Sequence, residues 1–146
     1  MFFNTQFTMV PPAAVGESIF ATLPGDTFAE KRASLEAFLK TQPQAECPVQ
    51  HTFGDGVYVR QAFNPADVLI VGETHKYGHI CMITKGKVSI FTEKGVQTLE
   101  AGEGFIGQAG DKRIVYAWED SVFTTVHMTS ERNIAKLEME LIGEGV

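Results

Sequence analysis

The chain has 146 residues, a formal net charge of −6, and 21% charged against 44% hydrophobic residues. That is one domain with room for a proper core and too short for two. The acidic balance argues against a nucleic-acid partner, since Lys31-Arg32 and Lys112-Arg113 are isolated pairs and not a basic run.

No apolar stretch reaches the length of a membrane span, and Met1-Phe2-Phe3-Asn4 lacks the charged start of a signal peptide. Cys47 and Cys81 make no disulfide framework. A reducing, cytoplasmic setting without membrane contact is expected.

Residues 1–25 are apolar and proline-dotted without a clear period, and read as an arm that packs on other structure. Asp26 and Thr27-Phe28-Ala29-Glu30 carry the capping-box pattern. Phe28, Leu35, Phe38 and Leu39 fall near one stripe, which predicts a helix over 27–40 ended by Gln42-Pro43.

From Val49 the period changes to two. Strands are predicted at 49–53, 57–63, 67–75, 79–84, 87–92, 96–100, 104–107, 112–118 and 121–129, separated by turns such as Gly54-Asp55-Gly56, Lys85-Gly86 and Ala101-Gly102-Glu103-Gly104. Many short strands at even spacing predict an all-β closed barrel or double-sheet jelly roll, which removes exposed edges. Ser130 is expected to cap a last helix over 131–142, with Ile134, Leu137 and Leu141 on one side and Gly143 as its stop. The expected organisation is an arm and helix over 1–48, a barrel over 49–129 and a C-terminal helix over 130–146. Strand 79–84 is apolar on both faces, so its outer face needs cover from a terminal helix or another subunit.

Chemistry-bearing residues concentrate between 73 and 113. In a strand, Glu73 and His75 share a face, and the turn Lys76-Tyr77-Gly78 returns His79 opposite them. Two imidazoles and a carboxylate on one face are a ligand set used by non-haem iron and related divalent ions. Arg113 can hold a small anionic ligand, with Tyr58, Arg60, Tyr116 and Trp118 as candidate lining. Cys81 shares parity with His79, and His127 faces the same way as Phe123 and Thr125 on the last strand. Both are further candidates for the site. His51 has no patterned partner and reads as structural or exposed.

The spacing Glu73-x-His75-x3-His79-x6-Gly86, followed by Gly102-x5-Gln108-x-Gly110-x2-Arg113, resembles the two motifs of the cupin family over about residues 49–129. The resemblance implies a cupin β-barrel whose four ligand positions are here Glu73, His75, His79 and Arg113. It also implies that Glu73 and Arg113 converge, so Glu73 has a second reading as an ion-pair partner of Arg113. The glycines are kept, the first histidine is Glu, the glutamate is His, and the fourth ligand is an arginine with no lone pair to offer.

Two functions follow from the resemblance. One is a site for a small molecule, built on a divalent metal (Fe, Mn, Ni or Zn) or with no metal at all, with Arg113 on an anionic group. The other is a non-catalytic cupin scaffold. The layout also resembles small cupin-domain proteins encoded in tailed-phage genomes, which implies a virion or accessory role, virion proteins as partners, and a virion or host-cytoplasm location. Cupins commonly dimerise through sheet faces, so a homodimer or higher oligomer is implied as well.

Overall fold

The computed structural model describes the backbone of residues 4–9 and residues 23–143 in full. Among these, the elements in order are β1 (Asn4–Met9), α1 (Phe28–Leu39), β2 (Val49–Gly54), β3 (Val57–Asn64), β4 (Val68–Gly72), β5 (His79–Lys85), β6 (Lys87–Thr92), β7 (Gly95–Glu100), β8 (Gly104–Gly107), β9 (Ile114–Ala117), β10 (Ser121–Met128) and α2 (Ile134–Leu141). The strands form two five-stranded sheets, ordered β1-β4-β9-β6-β7 and β2-β3-β10-β5-β8. Their inner faces meet in a core that includes Val68, Ile70, Ile83, Val88, Ile90, Val115 and Phe123. Period-two alternation in the sequence thus becomes two packed sheets, as in a jelly roll. Among the described residues no helix is long and apolar enough to cross a membrane.

Turn chemistry sets the registers. Gly86, between β5 and β6, has φ +81°, and a Cβ there would sit 2.8 Å from Ser121 Cα. Only glycine meets both demands.

α1 begins as its sequence dictates. Thr27 Oγ1 accepts from the Glu30 amide at 3.1 Å, and Glu30 Oε2 accepts from the amides of Thr27 and Asp26 at 3.4 and 2.7 Å. Its Leu35 and Leu39 bury against Leu69, Val71, Phe91, Ile114 and Tyr116, on the outer face of the first sheet. Full burial of a leucine contributes about 1.5–3 kcal/mol. Phe38, expected on that stripe, is 56% exposed. It lies about 100° around the helix from Leu39, and the buried stripe runs instead through Leu35 and Leu39 with half-buried Phe28.

The predicted arm contains a strand. β1 pairs antiparallel with β4, from Asn4 opposite Gly72 to Met9 opposite Val68, while residues 10–22 lie outside the described part. α2 also differs from expectation in its cap and its place. Asn133, three residues beyond Ser130, is the N-cap and accepts from the Lys136 amide at 3.1 Å. Leu137 and Leu141, with Ile134 and Ile142, pack on Tyr58 and Phe53. Both rings point inward from β2 and β3, so α2 closes one end of the barrel rather than lying on its wall.

That end also explains why β4 stops early. Beyond Gly72 the backbone finds partners around α2: the Lys76 amide donates to the Leu141 carbonyl at 2.7 Å, the Gly143 amide donates to Thr74 at 2.8 Å, and His75 bridges Ile142. Glu73 and His75 therefore sit beyond the strand, not within it as predicted.

Candidate functional site

Three histidines meet inside the barrel. His79 opens β5 and His127 lies near the end of β10, both on the inward face, and His75 enters from the segment held by α2. Their ring centroids are 4.3 Å (His75–His79), 4.9 Å (His79–His127) and 5.5 Å (His75–His127) apart. Tyr58 extends the stack, 5.7 Å from His127 and 5.8 Å from His51. All three site histidines are buried. Burial, followed by neighbouring positive groups, pulls the imidazoles of His75, His79 and His127 down to about 2, 4 and 3. All three are neutral at physiological pH.

The hydrogen bonds of His79 settle its tautomer. The Tyr77 carbonyl, 3.1 Å from Nδ1, can only accept, so Nδ1 carries the proton. Nε2 then holds the lone pair and accepts from Arg113 Nη2 at 3.3 Å. Arg113 Nη1 also donates to Cys81 Sγ at 3.3 Å, and the guanidinium lies over the Phe105 ring, 5.5 Å from its centroid. Burial raises the Cys81 thiol above its ordinary range, so Arg113 is set against neutral groups. Gly107 makes this approach feasible. A Cβ there would fall 2.8 Å from His79 Nε2 and 3.0 Å from Arg113 Nη1.

A cavity of about 50 Å³ lies beside the histidines, lined by Arg60, Asn64, Glu73, His75, Arg113 and Thr125 among others. Arg60 is 4% exposed and Arg113 8%. Burial pulls Arg60 down to about 10, which leaves it charged at neutral pH. Asn64 Oδ1 is buried without a hydrogen-bond partner. A second, larger cavity of about 410 Å³ opens on the other side of Arg113, bounded by Phe28, Phe105 and Lys112.

Glu73 is half-buried and lines the small cavity with His75 and Arg113. Tyr58, Cys81 and His127 all point inward, at or beside the cluster. Tyr116 does not. It lies on the outer face of the first sheet beneath α1, with its hydroxyl donating to Asp67 Oδ1 at 2.7 Å. Arg113 faces inward, and a residue three positions along an extended chain faces the other way. Trp118 packs edge-on against Tyr116 at 4.9 Å, also outside the barrel. Asn64 escaped the sequence reading, although it shares strand parity with Arg60 and Ala62.

A metal ion does not fit these residues as they stand. Among the described residues no three His, Cys, Asp or Glu side chains form a set that could hold one. The rings lie 15–36° from parallel, which stacks them instead of aiming three lone pairs at one point. The Nε2 lone pair of His79 is also spent on a cation.

Solved structures of similar shape decide the fold. A putative ethanolamine utilization protein Q from Salmonella typhimurium matches 60% of this chain and 72% of its own, with 12% identity and a TM-score of 0.51. The cupin domain of Cnp3 from Schizosaccharomyces pombe matches 60% of this chain and 67% of its own, with 15% identity and a TM-score of 0.50. The fold is a cupin barrel. A conserved protein with a double-stranded β-helix domain from Klebsiella pneumoniae is similar over 63% of this chain and 80% of its own, at 17% identity and a TM-score of 0.50. No protein-family model matches the sequence, and no curated protein matches it. At such identities the cupin likeness concerns fold alone, and function has to be argued from the site.

Proposed function

We propose that this small cupin binds a small organic anion, a carboxylate or similar oxyanion, on Arg113 inside the barrel. The observation that carries the reading is Arg113 itself: a buried guanidinium that touches neutral Cys81 and His79 and borders both cavities. Keeping a cation out of water costs several kcal/mol unless a counter-charge meets it. The lining of the small cavity carries two arginines against one carboxylate, Glu73, so a bound anion improves the balance. About 50 Å³ takes one carboxylate-sized group. The body of a larger ligand has room on the Phe105 side. Asn64 Oδ1 offers an acceptor to a hydroxyl or amine on the same ligand. His75, which lines the small cavity, is neutral and brings no competing charge.

Thermal unfolding in sodium acetate and in sodium chloride at equal ionic strength tests this. Acetate is expected to raise the Tm of the native chain saturably, by the equivalent of about 2.7 kcal/mol at a hundredfold excess over Kd. It should leave Arg113→Gln unmoved. Equal melting in both salts would overturn the reading. A rise produced by Mn(II) or Ni(II) and not by acetate would give the barrel to a metal.

A second reading rests on α2. Leu137 and Leu141 close the histidine end of the barrel against Tyr58, as suits a non-catalytic cupin used as a scaffold. The resemblance to tailed-phage cupins would place such a scaffold in a virion or an accessory role. Failure of acetate, Mn(II) and Ni(II) alike to shift Tm would favour this reading.

A further inference from the structure

The small cavity has two unlike ends. Arg60, Ala62 and Asn64 are alternate inward residues of β3, and all three line it. One end holds the charges of Glu73 and Arg113, where β4 finishes at Gly72. Ile70, Val115 and Phe123 line it too and belong to the apolar core, so its middle is greasy. Asn64 closes β3 at the other end, just before the turn into β4. It is 3% exposed, and its Oδ1 finds no hydrogen-bond partner among the described residues. A buried carbonyl oxygen left without a donor is destabilising, and the great majority of such groups are paired. A leucine of similar size would sit there without that penalty. Asn64 therefore has the form of a group completed by something that enters the cavity.

We infer that the ligand is a short hydroxy acid, its carboxylate on Arg113 and its hydroxyl donating to Asn64 Oδ1. The inference rests on the anion reading above and names the ligand's class. Charge selects a hydroxyl over an amine. Arg60 and Arg113 against Glu73, with His75 neutral, leave the lining one positive charge in excess. A hydroxy acid carries one negative charge and cancels it. An amino acid is a zwitterion that leaves the excess in place and brings an ammonium group near two guanidiniums. A dicarboxylate overshoots the balance and sets a second acceptor against Oδ1, which can only accept. The apolar middle suits the carbon chain. Size limits that chain. About 50 Å³, at roughly 10–15 Å³ for each water-sized group, takes about four such groups, as in an acid of two or three carbons. Asn64 is then the residue that determines specificity, because a ligand without the hydroxyl leaves Oδ1 buried and unsatisfied.

Calorimetric titration of the native chain and of Asn64→Leu with acetate, glycolate, propionate and 3-hydroxypropionate, all as sodium salts at equal ionic strength, tests this. In the native chain the better of the two hydroxy acids is expected to bind at least about tenfold tighter than the plain acid of equal carbon number. Asn64→Leu should erase that preference and leave acetate binding nearly unchanged, a pattern that general damage to the fold would not produce. If Asn64→Leu does not fold, the ligand series on the native chain decides alone. Equal affinity for hydroxy and plain acids would overturn the inference while the anion reading stands. Glycine or malonate binding more tightly than glycolate would overturn it too, as would a hydroxyl preference that survives in Asn64→Leu. Binding of none of the four acids would overturn the anion reading, and the inference with it.

Discussion

His75, His79 and His127 share one small volume beside Arg60 and Arg113, and the arrangement holds only while all three are neutral. The sign of the pH dependence follows. Each folded-state value, about 2, 4 and 3, lies below the ordinary 6.5. Below pH 6.5 the unfolded chain therefore takes up protons that the folded chain refuses. Stability from these groups is complete above about pH 6.5 and falls as pH drops toward 4, with a slope approaching ~4 kcal/mol per pH unit near pH 5. Urea midpoints at stepped pH should show this loss, and His127→Leu should lower the slope by about one proton. A flat profile between pH 7 and 5 would mean that the folded chain takes up those protons as readily as the unfolded one, so the three histidines are not held neutral.

The same neighbourhood makes Gly107 sensitive. A methyl group there collides with His79 and with the guanidinium of Arg113. Gly107→Ala is expected to cost about 1–3 kcal/mol in urea denaturation, as overpacking does. It should also abolish any acetate-dependent rise in Tm. Arg113→His removes the cation from His79 Nε2, and calorimetric titration with Ni(II) should find tighter binding than in the native chain. Unchanged affinity would point to the stacking of the rings, rather than the charge of Arg113, as the obstacle to a metal.

At the scale of elements, the two helices do different work. α1 is a cover held by its capping box, and Thr27→Ala should cost about 1 kcal/mol in denaturant unfolding. Its anchorage includes the Arg32 guanidinium, which donates to the Gly72 carbonyl where β4 ends. α2 is a plug. Leu137 is fully buried against Tyr58, and Leu137→Ala should cost about 2–5 kcal/mol. The amides of Lys76 and Gly143, which bond the segments on either side of this contact, should exchange with solvent faster in that variant. Equal exchange rates would show that the segment around His75 is held by something other than α2.

For the whole molecule, the acidic balance of the chain governs how copies of it meet in solution. Two copies with net charge −6 repel at long range, and dissolved salt screens that repulsion. Raising NaCl from about 0.05 to 0.5 M, where the screening length shrinks to a few ångströms, is expected to weaken that repulsion and flatten the concentration dependence of the sedimentation coefficient. A concentration dependence indifferent to salt would show that net charge does not govern how copies meet.

Most of the barrel was legible from local pattern. Period-two runs, the glycine turns and the capping box at Thr27 and Glu30 depend on neighbours within a few residues, so their positions in the chain follow from sequence alone. The resemblance of the spacing from Glu73 to Arg113 likewise pointed to a cupin barrel before its shape was known. What the pattern could not decide was which face is inside and what covers the other. Tyr116 and His127 both sit in apolar, alternating strands, yet Tyr116 turns out beneath α1 while His127 joins His75 and His79. β4 stops at Gly72 because the backbone around Thr74 and Lys76 bonds instead to residues some 65 positions later. The stacking of three imidazoles beside Arg113, in place of a convergence of lone pairs, is also a tertiary outcome. Alternation is a property of one strand, whereas burial and ring orientation are set by pairings and helix contacts between residues far apart in the chain.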